Sequence, residues 1–274
     1  MSQTLTPAAE QLAAELREAL DSEQLTLRFQ PVFDIRKSDP ALLTAEALVR
    51  WEHPVRGVLM PADFLDLATV CGLMPAVTDF VFQHAVEQIY AWRKLGIETS
   101  LSVNLAGHLL EDAEFPDRLV RLLRQYEVPP GNLILELSEQ GAMVSLPGTL
   151  DILRELMALG FPLVIDDFGK GSISLVQLMR LPFVGLKIDH SLISQISTDD
   201  RAKQLVRGIV HMTHDLGMSV CAEGVETRET LFLLKGVGCD SAQGWLFGDP
   251  VRAAELPVVP LGDDQQSVET AAAG

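Results

Sequence analysis

From Ser100 to Phe247 the chain repeats one pattern: a short apolar run that reads as a buried strand, then a longer stretch with apolar residues at helical spacing. The runs are SLSVNLA (Ser100 to Ala106), LILELSE (Leu133 to Glu139), the start of LVIDDFGKG (Leu163 to Gly171), FVGLKID (Phe183 to Asp189), MSVCAEGVE (Met218 to Glu226) and Ala242 to Phe247. Helical spacing covers about 115–126, 149–159, 175–180, 200–216 and 228–235. Strands that alternate with helices imply a mainly parallel sheet joined by right-handed crossovers. Upstream lie two further strands, Leu25 to Phe33 and Ala41 to Trp51, and helices at 61–71 and 76–95. Only RKSDP and its neighbours separate those first two strands, whereas a parallel crossover needs about a dozen residues or more. The first strand must therefore run antiparallel to the second. Eight strands suggest closure, so the expected fold is α/β: a TIM-like (β/α)8 barrel with an antiparallel first strand.

Apolar residues make up 47 % of the 274, enough for one large core, and barrels of about 250 residues commonly form a single unit. Thr6-Pro7 reads as an N-cap with proline at the first helical position, so residues 1–22 are expected to form a leading helix outside the repeat. Residues 23–252 are the barrel, and 253–274 lose the pattern and read as a disordered or weakly helical tail. Acidic residues outnumber basic ones 38 to 21, and the net charge of −17 argues against binding duplex nucleic acid. A phosphate-bearing ligand would need local cations. The three cysteines, Cys71, Cys221 and Cys239, lack metal-ligand spacing and fit buried thiols in a reducing compartment. With no secretory signal and no apolar stretch of about 18 residues, the expected location is cytoplasmic, with no membrane segment.

In LVIDDFGKG a buried strand ends in two adjacent carboxylates, Asp166 and Asp167. Neighbouring aspartates repel each other at a strand end unless a cation lies beside them, although a solvated Asp-Gly turn also accounts for the pair taken alone. The other strand ends decide between these readings. In a barrel they share one face, and here they carry Glu46, Asn104, Glu136 with Glu139, Asp166 with Asp167, Lys187 with Asp189, Glu223 with Glu226, and Gln243. Several of these lie inside apolar runs, where a solvated turn is a poor account. An oxygen-only set without histidine or cysteine suits Mg²⁺ or Mn²⁺. With Asp166 able to bridge, two ions could serve hydrolysis of a phosphodiester. His84 stands at helical spacing and is read as a core-edge residue rather than a ligand.

EALVRW (Glu46 to Trp51), SVNLA, ELSE, DDFGKG, KIDHS (Lys187 to Ser191), AEGVET (Ala222 to Thr227) and QGWLFGDP (Gln243 to Pro250) closely resemble, in the same order, the motifs of the EAL domain. That family comprises cyclic di-GMP-specific phosphodiesterases and their inactive relatives, and the resemblance runs from about Leu25 to Pro250. It implies a barrel with an antiparallel first strand and metal-dependent hydrolysis of cyclic di-GMP to linear 5′-pGpG. It implies one metal held by Glu46, Asn104, Glu136 and Asp166, and a second served by Asp166, Asp167 and Glu223. By the same resemblance Lys187 orients the attacking water or polarises the phosphate, and Glu223 and Gln243 position that water. Arg50 contacts the substrate, with Gln30 and Leu48 nearby; Asp189 and Glu226 match acidic positions of the family, Asp189 being assigned to the substrate; and Glu139 braces the loop after the fifth strand.

Departures from the family pattern fall in that loop and in one helix. DDFGKGSISL stands where the family usually has DDFGTGYSSL, so Lys170 replaces a small residue, Ser172 a tyrosine and Ile173 a serine; ATVCG, with Thr69 and Val70, replaces AEETG. These changes bear on the loop and on the homodimer contact that it supports in the family. The alternative function is therefore a catalytically silent cyclic di-GMP receptor that signals through a partner protein, and a third is an unrelated barrel acting on another phosphate ester. The sequence carries no sensory motif, so regulatory input is expected from a sensory or regulatory partner, from oligomerisation, or from a larger protein containing this chain.

Overall fold

The computed structural model describes residues 6–142, 148–171 and 173–257. Helix α1 (Pro7–Leu20) starts where expected, with the Thr6 hydroxyl accepting a hydrogen bond from the Ala9 N–H at 3.3 Å. Strands β1 (Leu25–Asp34) and β2 (Ala41–His53) then form a long antiparallel hairpin, register Gln30 opposite Glu46, and a short strand β3 (Gly57–Leu59) folds back on the end of β2. After helices α2 (Pro61–Val70) and α3 (Met74–Lys94) the alternation is regular. It runs β4 (Ser100–Asn104), α4 (Phe115–Gln125), β5 (Leu133–Ser138), the short turn α5 (Glu139–Ala142), α6 (Thr149–Ala158), β6 (Leu163–Phe168) and a single turn α7 (Leu175–Leu178). Then follow β7 (Gly185–Ile188), α8 (His190–Ile193), α9 (Asp200–Asp215), β8 (Ser219–Ala222), α10 (Arg228–Gly236) and β9 (Ser241–Ala242).

The barrel order is β1-β9-β8-β7-β6-β5-β4-β2, closed by the β1–β2 pairing. β1 is antiparallel to both neighbours, and every other barrel pairing is parallel, as the short first connection requires. β3 lies outside the barrel and was not anticipated, because three residues are too few to show a period. Leu101, Leu135, Ile165, Leu186 and Val220 are among the fully buried strand residues that pack with the surrounding helices.

The leading helix, which stands before the repeat, packs on the barrel, with Leu16 and Ala19 buried against Leu25, Trp51 and Phe64. Two expectations are revised. The closing strand, expected over Ala242 to Phe247, stops at Ala242. Beyond it the chain is pinned to the loop after β8 by Val225 N–H donating to the Gln243 carbonyl and Leu246 N–H donating to Val225. Gly244 passes so close there, at φ 146°, that a Cβ would come within 2.2 Å of Val225 N. His84 is exposed and rests on the Phe80 ring rather than at the core edge. At the other end Ala253–Glu255 form a 3-10 turn and Leu256 is buried at 5 %, while the expected tail over 258–274, like Ser172, lies outside the described residues. Among the described residues no helix is long and apolar enough to cross a membrane.

Candidate active site

Seven consecutive barrel strands each bring one polar group to the same rim. Glu46 (β2), Asn104 (β4), Glu136 (β5), Asp166 (β6) and Lys187 (β7) lie within their strands, and Glu223 and Gln243 stand one residue past β8 and β9. Parallel pairing fixes their relative heights, with Glu46 level with Ser102, Asn104 with Glu136, and Lys187 with Cys221. Both residues just past a strand end are still tied to the sheet, through Glu223 N–H to Ile188 and Gln243 N–H to Ala222.

Lys187 is the hub. Its Nζ, 2 % exposed as a residue, lies 2.8 Å from Glu223 Oε1, 2.9 Å from Glu46 Oε2, 3.1 Å from Glu136 Oε2 and 3.4 Å from Asp166 Oδ1. Gln243 donates from Nε2 to both Glu46 Oε2 (2.9 Å) and Glu223 Oε1 (3.0 Å), and Asn104 donates from Nδ2 to Glu46 Oε1 at 3.2 Å. Burial disfavours the Lys187 charge, but attraction to Glu136, Glu223, Glu46 and Asp166 outweighs it and holds the ammonium well above its ordinary range. Among the carboxylates burial is likewise the largest influence. It raises Glu136 and Asp166, and it pushes Glu223 up to about 7. Only for Glu46 is it overcome, by Lys187 and by the hydrogen bonds from Lys187, Gln243 and Asn104, so that its carboxyl is held below the usual value.

Asp166 and Asp167 are consecutive, and on a regular strand they would point to opposite faces. The register shows how both serve one rim: Ile165 pairs with Leu186 and Phe168 with Ile188, so β6 holds one residue more than β7 across this interval. The bulge is taken up at Asp167, whose φ is 58° and whose N–H donates to Asp166 Oδ1 at 2.9 Å. Aspartate tolerates this left-handed backbone better than most residues. One oxygen from each of Asp166, Asp167 and Glu223 can lie within 4.8 Å of the others.

Glu139 holds the following loop. Its Oε2 accepts from Gly169 N–H and Gly171 N–H, both at 2.9 Å, and its Oε1 accepts from Ile173 N–H at 2.8 Å. Gly171 leaves room for this, since a Cβ there would stand 2.7 Å from the Glu139 carboxyl carbon. Lys170 bridges Asp167 Oδ1 (2.8 Å) and Asp189 Oδ2 (2.7 Å), and the other Asp189 oxygen caps α8 through Ser191 N–H. Asp189 is therefore engaged at both oxygens.

Two clefts flank this cluster. One, about 400 Å³, is mainly apolar and includes Leu48, Pro61, Leu65, Met74, Val77 and Asn104. The other, about 340 Å³, is polar and includes Gln30, Asp167, Lys170, Glu223, Glu226 and Gln243. Trp245 and His190 also line the second cleft, Trp245 at 70 % exposure, and the sequence reading assigned neither a role. Their one signal was position, Trp245 two residues after Gln243 and His190 directly after Asp189. Arg50 shares the β2 face of Glu46 and Leu48, is 5 % exposed, donates from Nη1 to the Val49 carbonyl, and has no carboxylate partner among the described residues.

Comparison with known proteins agrees with this architecture. The family model described as EAL domain matches residues 13–250. The bifunctional diguanylate cyclase/cyclic di-GMP phosphodiesterase MucR of Pseudomonas aeruginosa is 37 % identical over 247 residues, which cover 90 % of this chain and 36 % of that protein. The cyclic di-GMP phosphodiesterase NbdA of the same organism is 36 % identical over 247 residues, covering 90 % and 31 %. The chain thus spans about a third of the length of these curated relatives. A solved structure of the PaMucR phosphodiesterase in complex with c-di-GMP superposes with a TM-score of 0.85 at 37 % identity, covering 90 % of this chain and 99 % of that one. With its motifs in order and nearly its whole barrel matched, the chain belongs to the EAL domain family.

Proposed function

We propose that the chain hydrolyses cyclic di-GMP to linear 5′-pGpG with the aid of Mg²⁺ or Mn²⁺, two ions per site. The observation that carries this is the set of carboxylates gathered around Lys187 between two clefts, an arrangement suited to a phosphodiester flanked by two bases. The donor set fits hard divalent cations: it is oxygen-only, and four carboxylates, with Asp167 beside them, surround a single buried ammonium. Glu46, Asn104, Glu136 and Asp166 would hold one ion, and Asp166, Asp167 and Glu223 the other. Bound there, the ions lower the pKa of water and offset charge on the phosphate.

The protein groups do the rest. Lys187, held as an ammonium, cannot act as a base and instead draws negative charge on the phosphate toward the rim. Glu223, whose carboxyl sits near neutrality, takes the proton of the attacking water on its Oε2, while its Oε1 is held by Gln243 and Lys187. Water adds to phosphorus, the P–O3′ bond breaks, and the 3′ oxygen takes a proton from solvent to leave as a hydroxyl, balanced by the proton that Glu223 took and later releases. Arg50, Gln30 and Leu48 are the substrate contacts, Asp189 standing behind them with both oxygens engaged, and Arg50 supplies the local cation that an acidic chain needs. Two exposed apolar residues beside the loop, Val176 and Met179, support a homodimer contact. The three free cysteines, two of them buried, fit a cytoplasmic setting, and a sensory or regulatory partner supplies the input.

Mixing the purified chain with cyclic di-GMP and Mg²⁺ or Mn²⁺, and resolving the products by chromatography, tests the proposal. Linear 5′-pGpG formed only with the ions supports it. The departure at Lys170, which already occupies Asp167, favours the receptor as second reading; tight binding of intact cyclic di-GMP without product would establish that reading instead.

A further inference from the structure

Lys170 is held from two sides of unequal burial. Asp189, 3 % exposed, is fixed by capping α8 with its Oδ1, so its Oδ2 is a stationary anchor 2.7 Å from Lys170 Nζ. Asp167, on the bulge, is the more exposed partner 2.8 Å away, with a side chain 41 % exposed. The backbone doubles back through Gly169, at φ 111°, and Lys170 N–H donates to the Asp167 carbonyl at 3.2 Å, which aims the lysine side chain at the rim. An ammonium satisfies Asp167 as a counter-charge while giving water and phosphate no open coordination position. Asp167 is also one of the three carboxylates whose oxygens come within 4.8 Å of each other; Lys187 faces ligands of both sets and does not distinguish them, whereas Lys170 touches neither Glu46 nor Glu136 and acts on the second set alone.

We propose that Lys170 is a built-in competitor for Asp167, so that the two divalent ions bind with unequal affinity: tightly at Glu46, Asn104, Glu136 and Asp166, and weakly at Asp166, Asp167 and Glu223. This rests on the metal-dependent reading given above. Filling the second place requires Asp167 to leave Lys170 and a doubly charged ion to approach an ammonium anchored on Asp189. The lysine side chain is 51 % exposed, so solvent screens the effect, and about tenfold in affinity is the expected scale. Hydrolysis then depends on divalent-ion concentration in two separated steps.

Mn²⁺ binding to the full chain without dinucleotide, followed by electron paramagnetic resonance of the free ion and by titration calorimetry, is the test. The wild type is expected to bind two ions with dissociation constants at least about tenfold apart. Lys170→Met removes the charge and keeps the length; its second constant is expected to tighten about tenfold while the first stays the same. Lys170→Arg keeps the charge and is expected to resemble the wild type, and Lys170→Thr replaces Lys170→Met in the comparison if the latter shows no cooperative melt. Equal affinities in the wild type, or an unchanged second constant in both uncharged variants, would overturn the inference and leave the metal-dependent reading standing. Absence of Mn²⁺ binding in every protein would overturn both.

Discussion

Lys187 Nζ and Glu223 Oε1 stand 2.8 Å apart across the ends of β7 and β8, and the same Glu223 oxygen accepts from Gln243. The pair ties the buried cation to the carboxyl with a pKa near neutrality, so neither can be changed without altering the other. In Lys187→Met, four buried carboxylates lose their counter-charge, a break that costs about 3–5 kcal/mol in comparable buried networks. The melting temperature is expected to fall in the absence of divalent ions and to recover with Mn²⁺. Turnover is expected to fall by more than about 100-fold while dinucleotide affinity changes little. Calorimetric melts and steady-state kinetics check both halves; an unaffected turnover would make the lysine structural.

Glu46→Ala and Asp166→Asn each remove one ligand oxygen from the cluster. Hydrolysis is expected to drop to background in both, with circular dichroism unchanged and Mn²⁺ binding weakened. Near-normal turnover in either variant would count against the ligand assignment.

Glu223 has a carboxyl pKa raised from 4.5 to about 7 by burial. Between those values the folded state holds a proton that the unfolded chain has lost, so this group's contribution to stability is present below about 4.5 and disappears as pH rises through about 7. Metal binding must displace the same proton. Apparent Mn²⁺ affinity is therefore expected to rise by at least about tenfold per pH unit below 7, since Glu136 and Asp166 are raised as well, as measured by titration in metal-free buffers. A flat profile from pH 5.5 to 8 would show that Glu223 is ionised throughout.

Glu139→Gln replaces an anionic acceptor of three N–H groups with an amide that carries donors of its own. Hydrogen bonds to a charged group contribute about 1.5–3 kcal/mol each. Faster amide exchange at Gly169, Gly171 and Ile173 is expected, with turnover reduced roughly tenfold and the global melt little changed. Mass-spectrometric exchange on peptides spanning 168–175 reads this directly.

Leu16→Ala empties a buried position between α1 and Trp51. A loss of about 2–5 kcal/mol is expected in urea unfolding, with hydrolysis below the transition unchanged. A loss under about 0.5 kcal/mol would mean that α1 is not part of the cooperative unit.

Much of this architecture was legible because its causes are local. Alternation at periods of two and 3.6 gave the strand and helix order, and the few residues between β1 and β2 gave the reversed first strand. The rim residues were recognisable because charged groups stood inside apolar runs, as Glu136 does in LILEL and Lys187 in FVGLK. Relations that depend on closure were not legible. That Lys187 touches four carboxylates follows from strand stagger, and that Lys170 reaches Asp189 follows from a turn through Gly169. The bulge at Asp166-Asp167 did have a signal, because two adjacent residues wanted on one rim cannot both sit on a regular strand. Leu16 and Ala19 carried a helical stripe whose partners, Trp51 and Phe64, are set by the fold alone.

The reversed first strand has a positional consequence. In a barrel with all strands parallel the chain would enter at the bottom, away from the chemistry. Here Leu25 pairs with Trp51, beyond the level of Glu46 on β2, so the chain comes in over the mouth. Helix α1 rests on that raised hairpin and leans on Trp51, one residue from Arg50. Through Trp51, α1 is thus packed directly on the strand that carries Arg50, Leu48 and Glu46, and the start of the chain lies beside the mouth rather than across the barrel from it.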